Sequence, residues 1–311
     1  MRISCRPAKR RGAALMIVLW LIAVLAMASI AALRVLSFDM DIAASTIHGS
    51  RSLHLAEMGV AVASNPMVER GDPLLSYYDE EKDEGYQVRL SSEGQRFNIN
   101  AILAGRDTDL LNNIFIEWGM ELEESEALVD ALTDWFDSDD EVSVKGAEEE
   151  EYEAAGRLNQ PFNRPFYHLD EMRMVRGMDR LEELNPGWRN WFTVWSSGQL
   201  DLNDASPELI AMAAEIPVEQ ARLVTESVEG EDGERNTEDD LLFEDLASAL
   251  VLLGIDPTLD PLLAKRFTVN DPTTRIESIG WAGDSRRRIT LILRNRTGKP
   301  ALLERNEEIL P

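Results

Sequence analysis

The stretch Ala13–Leu33, AALMIVLWLIAVLAMASIAAL, runs 21 residues without a charge, and Ser29 is its one polar residue. At 1.5 Å per residue, a helix of about 20 apolar residues crosses a bilayer core of about 30 Å. Five basic residues stand before it, at Arg2, Arg6, Lys9, Arg10 and Arg11. That bias predicts a single span with a cytoplasmic N-terminus and the rest of the chain outside, in the periplasm if an outer membrane is present. Three readings of the segment stay open. It is a secretory signal cut at a small-residue site among Ala26, Ala28, Ala31 and Ala32, an uncleaved anchor, or a helix kept after a cut ahead of it, following Gly12.

Helical patterning continues past the span. Ile42, Ile47, Leu53, Leu55, Met58 and Val60 recur at three- and four-residue spacings, with Arg51 and Glu57 between them. Pro66 is a stop signal, and Gly49 and Gly59 are candidate bends. A helix from Ala13 to Ser64 would be about 78 Å long, more than a membrane needs. It packs on its own domain, or it is a shaft beside other shafts.

Residues 66–85 read as an acidic linker. Tyr86, Val88 and Leu90 alternate with polar residues as a strand does, Ser92–Gln95 reads as a turn, and Arg96–Ile99 as the answering strand. Helical spacing dominates from Ala101 to Leu263. Strands return at Phe267–Val269, Arg275–Trp281 and, after a hairpin at Ala282–Ser285, Arg288–Arg294. The expected fold class is therefore α+β. A long transmembrane and spine helix (13–65) packs on a small antiparallel sheet (66–100 with 264–311), and an all-helical domain (101–263) is inserted. Phe97-Asn98-Ile99-Asn100-Ala101 is repeated weakly as Leu200-Asp201-Leu202-Asn203-Asp204-Ala205, with Asn100 and Asn203 expected as helix N-caps. The second copy resembles a helix-hairpin-helix (SAM-like) module. Its turn, Glu215–Val218, lacks glycine and a basic cluster, so it reads as a packing module and not as a DNA binder.

The chain has 311 residues, 57 acidic against 31 basic, for a net charge of −26. Such a balance argues against nucleic acid as a partner, because phosphate binding needs Lys and Arg. A single cysteine, Cys5, excludes an internal disulfide. With three histidines, no G-x-S-x-G elbow and no phosphate-binding loop, catalysis is not expected. The charge is concentrated. Asp134, Asp137, Asp139, Asp140, Glu141, Glu148, Glu149, Glu150, Glu151 and Glu153 place ten carboxylates in twenty residues. Asp137, Asp139, Glu141 and Glu148 fall at the first, third, fifth and twelfth positions of an EF-hand template, but Val142 stands where that loop needs glycine. The cluster is thus a calcium loop of another geometry, with Asp134, Asp140 and Glu149 as further candidate ligands, or a solvated acidic loop. A second acidic loop, Glu226–Asp240, offers Asp232 and Asp240 on the same two readings, with the solvated loop favoured.

Lys9-Arg10-Arg11-Gly12, followed by Ala13–Val18, resembles the processing site of type IV pilins and type II secretion pseudopilins. The resemblance implies that prepilin peptidase removes the leader (residues 1–12) between Gly12 and Ala13, that Ala13 is methylated, and that Cys5 leaves with the leader. Most members carry Glu as the fifth mature residue. Here it is Ile17, the habit of the K-type minor pseudopilin that caps the filament. Asp134–Glu141 with Gly146-Ala147-Glu148, Asn163–Phe166, Asp170–Met178, Gln95–Asn100 and Leu202–Leu209 resemble that family's pattern in order. The resemblance implies a structural, calcium-binding protein of the inner membrane at the pseudopilus tip. Its implied partners are the I- and J-type minor pseudopilins and the inner-membrane assembly platform. The alternatives are a membrane-anchored periplasmic binding protein or hydrolase, and a calcium-dependent adhesin of a type IV pilus.

Overall fold

The computed structural model describes residues 11–311, with side chains from Leu15 onward. The leader residues 1–10, Cys5 among them, lie outside the described residues, and at the Gly12–Ala13 bond only the helical backbone is described. Helix α1 spans Arg11–Ala63, followed by strands β1 (Ser76–Asp79) and β2 (Glu84–Ser92). A first helical half runs from β3 (Phe97–Asn98) through α2 (Ile99–Gly105), α3 (Thr108–Glu117), α4 (Leu122–Phe136), α5 (Glu149–Ala154) and α6 (Met178–Leu184) to β4 (Phe192–Thr193). A second half runs from β5 (Leu200–Asp201) through α7 (Pro207–Ala214), α8 (Val218–Val228), α9 (Leu246–Leu253) and α10 (Pro261–Ala264) to β6 (Phe267–Thr268). Strands β7 (Thr273–Ala282), β8 (Ser285–Arg294) and β9 (Ala301–Leu310) complete the chain.

The main sheet has the order β1-β2-β7-β8-β9, antiparallel throughout. The whole helical region is thus inserted between two hydrogen-bonded neighbours, with Ser92 opposite Thr274 at the exit. The C-terminal part of α1 lies across β2, β7 and β8. Leu55 and Ala63 pack there against Tyr86, Val88, Leu90, Ile276, Leu291 and Leu293. Burying each Leu or Val stabilises by about 1.5–3 kcal/mol. The helix and sheet meet at backbone distance. A Cβ on Gly280 would stand 2.3 Å from the Ser52 carbonyl and the Ala56 nitrogen, and one on Gly59 2.3 Å from Ser278 Oγ. Helix α1 runs unbroken through Gly49 and Gly59, and Gly59 serves this close approach. Arg296 Nη1 donates to the carbonyls of Ala63 and Asn65 at 3.0 and 2.8 Å, a cation placed at the negative end of the helix dipole. Toward its start α1 is bare, with every side chain from Leu15 to His48 exposed. It is long and apolar enough to cross a membrane once.

The helical halves share a second core, in which Trp135, Trp188, Phe115, Phe192 and Phe267 are fully buried. Carboxylates join this region to the sheet by capturing backbone N–H groups. Ser92 N donates to Asp204, Ser197 N and Thr273 N to Asp271, and Asp271 N to Asp201.

Several expectations need correction. Arg96–Ile99 is not a second hairpin strand, because Glu93–Gln95 forms a 3₁₀ turn and Phe97–Asn98 leaves the sheet to pair in parallel with β4. Part of the expected linker is β1, and the last strand of the 264–311 segment, β9, carries no apolar alternation to mark it in the sequence. Asn100 and Asn203 are not N-caps. The caps are Asn98, accepting from Ala101 N at 3.2 Å, and Ser206. Helix α2 starts earlier than expected and α7 later, which leaves both Asn amides free for a different task. Asn100 pairs with both backbone groups of Phe166, and Asn203 with both of Phe243. Each half is thereby pinned to its own long loop, and each closes by pairing its first strand with a later Phe-Thr.

Gly280→Ala should lower the melting temperature, because overpacking at a contact this tight costs about 1–3 kcal/mol. Gly105→Ala, at a position with nothing within 4 Å, should leave it equal or higher. Equal melting of the two variants would remove the close contact from the account.

Candidate functional site

The acidic loop between α4 and α5 sorts its carboxylates into two kinds. Asp134, at the buried end of α4, has its oxygens occupied by backbone, accepting from Ser143 N at 3.2 Å and Ala147 N at 2.8 Å. Gly146 must be glycine here, since a Cβ would meet Asp134 Oδ2 at 1.9 Å. Asp134 therefore shapes the loop. Asp139 accepts from Glu141 N at 3.0 Å, and Asp140 accepts from Asn163 Nδ2 at 3.1 Å. Asn163 Nδ2 also donates to the Asp139 carbonyl, which ties the 160–164 segment to the loop. Glu141 and Glu149 are exposed.

The second kind is buried without partners. Asp137 Oδ1, both carboxylate oxygens of Glu148, Gln160 Oε1 and Asn163 Oδ1 are buried acceptors with no hydrogen bond. An unmatched buried acceptor costs about 1–3 kcal/mol, and more if charged. Burial pushes the Glu148 carboxyl up to about 7, with the nearby charges of Asp134, Asp137 and Asp140 adding to it. Burial pushes Asp137 up to about 6, with Asp139 and Asp134 adding. No three acidic or imidazole groups converge as a metal cluster among the described residues. What the loop offers is two carboxylates with two side-chain amides, all oxygen donors. That set fits a hard cation of calcium type, which takes six to eight oxygens. Asp137 and Glu148 are among the sequence-derived candidates, whereas Gln160 and Asn163 were missed as ligands. A neutral amide carries no signal in a charge count.

In the second acidic loop the donors are already used. Asp239 accepts from Glu231 N and Asp232 N at 2.7 and 3.1 Å, Asp240 from Asn236 N at 2.8 Å, and Asp232 from Glu234 N at 2.8 Å. Asp232 and Asp240 thus act as turn-formers, the arrangement of a solvated loop.

Residues 95–186 match the family model described as Type II secretion system (T2SS), protein K, first domain, a segment that contains the whole acidic loop. No curated protein matches the chain. Among solved structures, a chain of the GspK-GspI-GspJ complex of the enterotoxigenic Escherichia coli type 2 secretion system has the same fold. Its TM-score is 0.57 at 15% identity, with 89% of this chain and 99% of that chain covered. The family match concerns this segment, and the likeness to the solved chain shows a shared fold.

The raised carboxyls set a pH dependence for the chain with divalent ions chelated. Glu148 and Asp137 keep protons in the folded chain at pH values where the unfolded chain, near 4.5 and 3.8, has lost them. Stability should therefore fall as pH rises from about 4 to 7. Glu148→Gln should flatten the upper part of the fall, and an unchanged profile in thermal melts from pH 5 to 7.5 would refute the assignment.

Proposed function

We propose that the chain is the tip subunit of a type II secretion pseudopilus, a structural part that starts filament assembly and supports export of folded proteins across the outer membrane. The observation that carries this reading is the bare spine. Every side chain from Leu15 to His48 is exposed, far more helix than the roughly 20 residues a bilayer core takes. Val35, Leu36, Phe38, Met40, Ile42 and Ile47 are exposed beyond the apolar span. In water such a surface is a site for other helices. The I- and J-type minor pseudopilins supply helices of that kind, and the GspK-like chain of the fold relative sits in a complex with GspI and GspJ. Ile17 in place of the usual Glu favours the tip, because a subunit with none above it needs no carboxylate to meet a neighbour's N-terminus. The helical region inserted between β2 and β7 adds bulk at the far end from the membrane anchor. In this reading prepilin peptidase cuts after Gly12, and the inner-membrane platform receives the mature chain with its bulk in the periplasm.

Calcium is proposed as a structural ion on the acidic loop, held by Asp137, Glu148, Gln160 and Asn163. Its charge would offset repulsion that the protein groups alone leave unbalanced. Asp134 orders the loop around it.

The first test is mass spectrometry of the mature N-terminus after expression with prepilin peptidase, alongside co-purification with the I- and J-type partners. The expected chain begins at methylated Ala13. A chain retaining Met1, or cut beyond Ala26, would return the protein to the anchored or secreted periplasmic class. For the ion, calcium at 100 times its dissociation constant should add about 2.7 kcal/mol, which raises the melting temperature by about 5–10 °C. The double variant Asp137→Ala, Glu148→Gln should gain nothing from calcium, and an equal gain would sink the site.

A further inference from the structure

The helical region carries an open groove of about 880 Å³ between α3 and α7, remote in sequence from the spine and from the acidic loop. Trp118, which follows α3, and Trp191, which precedes β4, meet at right angles, with ring centroids 5.1 Å apart and an interplanar angle of 89°. Both indoles are half-buried, and Ile116 and Met212 extend the apolar surface beside them. Two further carboxylates, Glu117 and Glu208, line the groove and are exposed. Other charges there are spoken for. Arg222 is held by Glu219 at 3.1 Å, and Glu215 by Arg266 at 2.9 Å. Glu117 and Glu208 have no cationic partner among the described residues.

We infer that this groove is a docking site for a basic, apolar-anchored segment of a partner protein, an Arg or Lys side chain at the indole corner with a neighbouring Leu- or Phe-like residue on Met212 and Ile116. Three features select that occupant. Indole is the strongest aromatic partner for a cation, and the attraction grows as the pair is desolvated. Two unpaired carboxylates beside the rings complement a positive charge and oppose a negative one. The net charge of −26 draws basic segments toward the chain from a distance. Trp is also among the side chains that carry most of the energy at protein interfaces, and Met is enriched there. The inference goes beyond the assembly role and does not depend on it, because the groove uses neither the spine nor the calcium loop.

The test uses the full chain in detergent and three fluorescein-labelled hexapeptides. Each has a central Leu-Phe pair, flanked by arginines, by serines or by glutamates, and binding is read by fluorescence anisotropy. The arginine peptide should bind about tenfold tighter than the serine peptide, with the glutamate peptide weakest, and the preference should shrink with added salt. Glu117→Gln with Glu208→Gln should bring the arginine peptide down to the serine level. Both positions are exposed, so this variant should melt with the wild type. Glu80→Gln with Glu81→Gln, exposed on the β1–β2 turn, removes the same charge elsewhere and should leave the tenfold preference intact. With 5-fluorotryptophan in the chain, the arginine peptide should shift the resonances of Trp118 and Trp191 and not that of Trp281 in the sheet. No binding of the arginine peptide, equal binding of all three, or loss of preference in the Glu80/Glu81 variant would overturn the inference.

Discussion

The molecule depends on a place where two backbones touch. Helix α1 rests on β7 with no side chain between them at Gly280, and Gly59 lets the helix settle against Ser278 and Val88 in the same way. Dispersion and burial act over ångströms, so this closeness brings Leu55 and Ala63 into the sheet's apolar face. Arg296 then closes the end of the helix. With that seat made, one end of α1 is rigidly attached and the other is left bare. A surface that is apolar and unsupported over so many turns is stable in lipid or among other helices and costly in water.

Carboxylates do two different jobs in this acidic chain, and the backbone decides which. Where peptide N–H groups are within reach, a carboxylate becomes an internal staple. Asp134 draws in Ser143 and Ala147, while Asp204 and Asp271 hold the exit and re-entry of the helical insertion. Asp201 shows the cost of crowding at that junction, since burial, with Asp204 adding, raises its carboxyl to about 6. Where buried oxygens find no hydrogen bond, as at Asp137 Oδ1 and Glu148, the carboxyl is pushed up and holds its proton instead. The two classes have the same composition and differ in local geometry.

That difference explains what could be read from the sequence. The span Ala13–Leu33 is legible because one physical property, absence of charge, decides it. β8 is legible because Ile289, Leu291 and Leu293 alternate along it, and β7 because the hairpin signal at Ala282–Ser285 joins it to β8. β9 is not, since an edge strand exposed along most of its length has charged residues such as Glu304, Arg305, Glu307 and Glu308 where a core strand has Val or Ile. Asn98 and Asn100 are equally good caps by residue type. Only the true start of α2 separates the cap from the side chain that grips Phe166, and a shift of two residues lies within the usual uncertainty of a helix boundary. Gln160 and Asn163 belong to the candidate ion site through a fold that brings a neutral loop onto an acidic one, which a one-dimensional pattern does not encode.

The insertion between β2 and β7 also governs the order of folding. Pairing Ser92 with Thr274 closes a loop of about 180 residues, and the entropy of that closure has to be met before the strand contacts return anything. A collapsed helical region shortens the effective loop to the few ångströms between its ends. β7, β8 and β9 form a local meander, whereas β1 and β2 wait on the far side of the insertion. The sheet is therefore completed late, and the seat for α1, which needs β2 and β7 together, is completed with it. Until then the chain is a finished helical body and an unfinished sheet carried on one long helix. The contact that fixes one end of α1 is thus the one the topology leaves for last.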